Sequence, residues 1–265
     1  MEPASEVGHG PRAGRDLPAG HELLELRRRC EAAEQASLAR GSFLATISHE
    51  IREPMNGIVG MCRLLRDTPL DAEQRTYVDT AIESAEALLT LVNDVLDFSR
   101  IDAGRLELAP VVVDLAAFLQ RFERQLMPRA RDRQVAFSCR LAPDAPSLVV
   151  VDPGRLRQIL VNLAGNALKF TDAGAVQVRV GARGPVDGGR VRLTIEVEDT
   201  GIGIAPAALA DLFTSFGQAD IGTPRLYGGS GLGLLIAQRL AVAMGGSVTV
   251  TSEFGRGTTF HVELV

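Results

Sequence analysis

The chain has 265 residues, a net charge of −5 and 46% hydrophobic residues, enough apolar content for one or two packed domains. Its basic side chains are scattered rather than clustered, which speaks against a nucleic-acid surface. No apolar run approaches the ~20 residues that cross a bilayer. Cys30, Cys62 and Cys139 are far apart and follow no metal-ligand spacing. These features predict a soluble, cytoplasmic segment without a signal peptide. No membrane contact is expected from this segment, although a parent protein could be membrane-bound.

Residues 1–18, rich in Gly, Pro and charge, read as a disordered tail. From Glu22 to about Arg66 the apolar period is helical, far longer than an average globular helix, which suggests a coiled coil entering a bundle. Within it lies FLATISHEIREPMNGIVG, residues 43–60. Leu44, Ile47, Ile51, Met55 and Ile58 form one apolar stripe there, and His49 lies off it. Glu50 follows His49 directly, and a carboxylate that takes one imidazole proton leaves the other ring nitrogen free to attack. The plainer reading is an ordinary surface histidine. Pro54 cannot donate to the Glu50 carbonyl, so a kink costing ~3 kcal/mol before compensation is expected, either a simple bend or a hinge.

Residues 67–70 read as a turn and residues 71–103 as a second helix, with Tyr77, Ile82, Ala85, Leu88, Val92, Val95 and Leu96 on its apolar side and Gly104 as its stop. Two helices joined by a short turn make an antiparallel hairpin with apolar surface to spare. Two hairpins bury that surface as a four-helix bundle, so a homodimer is predicted.

After Gly104 the period changes. Strands are expected at residues 111–113, 135–141, 148–151, 175–181, 190–199, 247–252 and 258–264. Helices are expected at 115–130, 153–170, 206–211 and 231–244, and residues 212–229 read as irregular. The predicted fold is α+β: a helical hairpin at residues 19–104, then an α/β sandwich at 105–265 with helices on one face of a mostly antiparallel sheet.

Three clusters in the second domain carry chemistry. Asn162 and Asn166 lie one turn apart, with Lys169 close behind, which suits a phosphate chain and Mg²⁺; the alternative is a polar helix face. Asp199, with Gly201 and Gly203, ends a strand. A carboxylate there can accept from an exocyclic amine while the glycines admit a flat ring, or the segment is only a tight turn. Gly229, Ser230, Gly231, Leu232, Gly233 and Leu234 run into a helix N-terminus, where backbone N–H groups favour a phosphate. Neither a Walker A loop nor a dinucleotide fingerprint fits that spacing.

In this order, these segments resemble the catalytic core of the sensor histidine kinases of two-component systems, of the hybrid type in particular. Residues 43–60 are similar to the H-box, 162–171 to the N-box, 199–204 to the G1 box, 212–218 to the F-box and 228–234 to the G2 box. The resemblance implies a dimeric phosphotransfer hairpin and an ATP-binding domain of the gyrase, Hsp90, histidine kinase and MutL fold. By motif position His49 would accept the phosphoryl group and Glu50 would be its base. Asn166 would bind Mg²⁺, Asn162 would support metal and phosphates indirectly, Lys169 would contact phosphate, and Asp199 would read the adenine amine. Residues 212–229 would form a lid anchored by Phe213 and Phe216, with Arg225 and Tyr227 near its far end. The phosphoryl group would pass to an Asp of a response-regulator receiver domain.

Glu53 departs from the pattern, since these kinases usually carry Thr or Asn four residues after the histidine. A carboxylate there repels phosphoryl oxygens, so weak phosphatase activity is expected with autokinase activity kept. The alternative to a kinase is a catalytically weak, kinase-like regulatory binding module. A gyrase- or Hsp90-like ATPase is the third reading and leaves the His49 hairpin without a purpose.

Overall fold

The computed structural model describes residues 28, 48, 50–104, 106–143, 145–186, 190–209, 212–213 and 232–265. The first helix, α1 (residues 50–66), runs through Pro54 without a break in its helical backbone. Val59 is buried, as is Ser48 ahead of residue 50, Ile51 and Met55 are half-buried, and Ile58, Met61, Leu64 and Leu65 are exposed. The turn at 67–70 closes with hydrogen bonds from Asp67 and Thr68 to the carbonyls of Leu64 and Leu65.

The second helix, α2 (Ala72–Asp102), starts on a capping box: Asp71 accepts from the Gln74 amide, and the Gln74 side chain accepts from the Asp71 amide. Gly104, at φ 65°, stops it by donating to the Ile101 carbonyl. The helices pair antiparallel, with Arg52 on Asn93 (2.8 Å) and Arg63 on Glu86 (2.9 Å). Ile82, Ala85 and Leu96 of α2 are buried, while Leu88, Leu91 and Val95 stay exposed. Tyr77 departs from the expected apolar face and is exposed, its hydroxyl bonded to Glu73 one turn back.

The second domain contains β1 (Val111–Asp114), α3 (Leu115–Asp132), β2 (Ala136–Leu141), β3 (Leu148–Val151), α4 (Pro153–Phe170), β4 (Ala175–Val186), β5 (Arg190–Asp199), the short α5 (Pro206–Leu209), α6 (Leu232–Ala243), β6 (Ser247–Glu253) and β7 (Gly257–Leu264). β1 and β3 form a separate two-stranded antiparallel sheet. The main sheet has the order β2-β4-β5-β7-β6, parallel only between β2 and β4. One face alternates inward as Val178, Val180, Ile195, Val197, Phe260 and Val262, and α3, α4 and α6 cover it with Phe118, Phe122, Ile159, Leu163, Ile236 and Leu240. The other face is polar, laced by Arg179 to Glu196 and Glu198 and by Arg192 to Glu263.

β4 extends to Val186, beyond the end expected at residue 181. Gly181, the last residue of the expected strand, lies inside β4, where a Cβ would stand 3.2 Å from the Thr194 hydroxyl on β5. The irregularity falls later, between Arg183 and Pro185.

Candidate active site

Helix α4 organises the site. Pro153 takes its first position, and Asp152 caps it by accepting from the amides of Gly154 (2.9 Å) and Arg155 (3.0 Å). Leu156, Ile159, Leu160, Leu163, Ala164, Ala167 and Leu168 are buried, which leaves Asn162, Asn166 and Lys169 together on the half-buried side. A Cβ on Gly233, near the start of α6, would lie 3.3 Å from Asn162 Oδ1, so the asparagine helix and the glycine segment meet. Asn162 Nδ2 is buried without a partner among the described residues. A buried orphan amide calls for a ligand, and an amide can turn either its oxygen or its NH₂ group to one. No cluster of three His, Cys, Asp or Glu side chains occurs among the described residues. Amide oxygens completed by phosphate oxygens and water suit Mg²⁺, so the donor set fits that ion.

The C-terminal end of α4 is tied down from three sides. Thr171 Oγ1 donates to the Ala167 carbonyl (2.8 Å), Arg133 Nη1 to that of Lys169 (2.9 Å) and the Ile202 amide to that of Phe170 (3.2 Å). Lys169 Nζ lies 4.7 Å above the Phe170 ring. Burial, then the neighbouring Arg133 charge, lowers the Lys169 pKa from its ordinary value.

Asp199 stands at the end of β5, only 7% exposed, and its Oδ1 accepts from the amides of Gly201 (2.9 Å) and Thr258 (3.2 Å). Burial raises its pKa above the usual carboxylate range, outweighing the two amide donors, and Glu198 adds to the rise. The glycines around it permit backbone contact. A Cβ on Gly201 would lie 2.3 Å from the Phe170 carbonyl oxygen, and one on Gly203, at φ 65°, 2.1 Å from that of Glu253. Thr258 and Ser252, which hold this corner, escaped the sequence reading. Their signal was SEFGRGTTF, a second glycine-rich turn between strands, which reads alone as an ordinary hairpin.

Phe213, with Leu212, packs against the domain core, as do Leu232 and Leu234 at the start of α6. Glu50 and Glu53 are both exposed on α1. His49, Phe216, Arg225, Tyr227, Gly229, Ser230 and Gly231 lie outside the described residues.

The two halves of the chain meet where α2 packs against α6 and where it reaches the N-terminal part of α4. Asp97 on α2 accepts from Arg155 Nη1 (3.0 Å) and Gln158 Nε2 (2.7 Å), and Phe98, Ile101 and Leu106 pack on the core of the second domain. Asp152 Oδ2 also accepts from the Ala109 amide (2.9 Å), clipping the connection between hairpin and sandwich to the same turn.

The comparisons match both halves. Residues 39–104 match the His Kinase A (phospho-acceptor) domain, and residues 151–265 match the histidine kinase-, DNA gyrase B- and HSP90-like ATPase family. The chain is a sensor histidine kinase catalytic core. It is 39% identical over 234 residues to the signal transduction histidine-protein kinase BarA of Escherichia coli, covering 88% of this chain and 25% of that protein. It is 41% identical over 242 residues to the sensory/regulatory protein RpfC of Xanthomonas campestris, covering 91% of this chain and 33% of that one. Among solved structures, full-length ShkA in complex with AMPPNP is similar at 46% identity and TM-score 0.67, over 83% of this chain and 45% of that chain. The kinase core thus spans about a quarter to a third of these curated relatives. Its residues 151–265 form an ATP-binding domain, and no described helix is long and apolar enough to cross a membrane.

Proposed function

We propose that this core is an ATP-dependent histidine autokinase. The γ-phosphoryl group of ATP passes to a ring nitrogen of His49, the bond to the β-phosphate oxygen breaks, and ADP leaves. Glu50 takes the proton from the other ring nitrogen. Asp199 accepts from the adenine amine, Asn162 and Lys169 hold the phosphate chain, and Arg225 steadies the γ-phosphate. Asn166 would hold Mg²⁺, with Asn162 supporting it indirectly; when bound, the ion neutralises phosphate charge and orients the chain. Phe213 and Phe216 would anchor a lid at residues 212–229 with Tyr227 near its far end, and residues 229–234 would offer backbone N–H groups to the phosphates.

The observation that carries this reading is the buried Asn162 amide, whose Nδ2 has no partner among the described residues and whose Oδ1 faces Gly233, on the same side of α4 as Asn166 and Lys169. Asn166→Ala is expected to lower the autophosphorylation rate by about a hundredfold or more while leaving the melting temperature unchanged. A rate close to wild type would overturn the assignment.

The second step passes the phosphoryl group to an Asp of a receiver domain, in keeping with the relatives named for signal transduction and for a sensory/regulatory role. The exposed row of Ile58, Met61, Leu65, Leu88, Leu91 and Val95 supports a homodimer through a four-helix bundle.

A further inference from the structure

The corner that holds Asp199 is built from one row of the sheet. Asp199 on β5 lies opposite Thr258 on β7, and Thr258 lies opposite Ser252 on β6. Residues opposite one another in a sheet send their side chains to the same face. Two residues along, that face carries Val197, Phe260 and Val250, and the following row carries Ile195, Val262 and Val248. These positions are buried or half-buried in the core. The face turns polar only at its last row.

Ser252 is the hub of that row. Its hydroxyl lies 2.8 Å from the Ile204 amide, 2.9 Å from the Gly257 carbonyl and 2.9 Å from the Thr258 hydroxyl. A hydroxyl has one proton and two lone pairs. The amide only donates and the carbonyl only accepts, so Ser252 gives its proton to Gly257 and accepts from Ile204. The Thr258 hydroxyl must then donate to Ser252, which satisfies all three contacts at once. The segment from Asp199 to Ile204 is therefore fixed at both ends. At one end Asp199 Oδ1 takes the Gly201 and Thr258 amides; at the other Ser252 takes the Ile204 amide. Asp199 Oδ2 accepts from none of the described residues and remains available to a ligand.

We propose that Ser252 is a positioning residue for base selection. It does not touch the nucleotide. It sets Thr258 and the 199–204 loop so that the free oxygen of Asp199 meets an exocyclic amine. This rests on the reading of Asp199 as the adenine sensor, and the test separates the two claims.

The affinities of ATP and of inosine triphosphate, in which a carbonyl oxygen replaces the 6-amino group, are measured for the full chain and its variants, with melting temperature recorded alongside. The wild type prefers ATP, and Asp199→Asn collapses that preference. Ser252→Ala lowers the preference by about tenfold, the weight of one well-placed hydrogen bond. The loss falls on ATP alone, with turnover at saturating ATP unchanged, and Ser252→Thr restores it. An unaltered preference in Ser252→Ala, or equal weakening of both nucleotides, overturns the proposal even where Asp199→Asn behaves as expected. An unaltered preference in Asp199→Asn overturns the adenine reading itself and this inference with it.

Discussion

Burial gives Asp199 a proton affinity above that of an ordinary carboxylate, and the two amide donors at Oδ1 only partly offset it. The free protein therefore holds this proton to higher pH than an exposed Asp would. A base amine is accepted best by the carboxylate, so ATP binds less tightly as pH falls through the raised pKa. A titration of ATP affinity against pH checks this: the acid-side loss seen in wild type is expected to vanish in Asp199→Asn, whose affinity is already low and flat. Glu53 is the other residue whose charge has a consequence. It is exposed on α1 within one turn of Glu50, where a carboxylate repels the oxygens of an incoming phosphoryl group. Glu53→Thr is expected to raise the rate of receiver dephosphorylation severalfold, read as loss of label from a phosphorylated regulator. No gain would sink the idea that Glu53 suppresses phosphatase activity.

Among the elements, α4 both joins the hairpin and carries the candidate site, and its first turn makes the join. Asp152 accepts from the Gly154 and Arg155 amides and also from the Ala109 amide. Asp152→Ala removes the cap and the clip together, so a loss of about 1–2 kcal/mol is expected from chemical denaturation. A loss below about 0.3 kcal/mol would mean that water replaces both contacts. This helix was legible in the sequence because its signals are local: an Asp, then Pro, then apolar residues at helical spacing. The same holds for Gly104, the expected stop of α2. What escaped depends on residues distant in the chain. The strand was expected to end at Gly181, and the pairing that carries it on to Val186 is a cross-strand fact. Ser252 and Thr258 looked like hairpin residues because their role comes from a partner 59 positions from Thr258. Asp97 gave no sequence signal, since its partners Arg155 and Gln158 lie 58 and 61 positions away.

At the scale of the whole molecule, one rigid helix faces two ways. The N-terminal part of α4 meets Asp97 on the hairpin, and its later turns carry Asn162, Asn166 and Lys169. Arg52 faces Asn93 across the hairpin. With about 1.5 Å of rise per residue on each helix, Glu50 is level with the α2 turn that leads to Asp97. The ATP-binding domain is thus held against the part of the bundle that carries the H-box. The kinase reading requires these two halves to act as one enzyme, with ATP bound by the second domain and phosphate ending on the first. Incubation with γ-labelled ATP and Mg²⁺ tests that directly. The wild-type chain is expected to acquire a label that is lost in acid and stable in alkali, and His49→Ala is expected to acquire none. A label that survives acid, or one that persists in His49→Ala, would contradict the account.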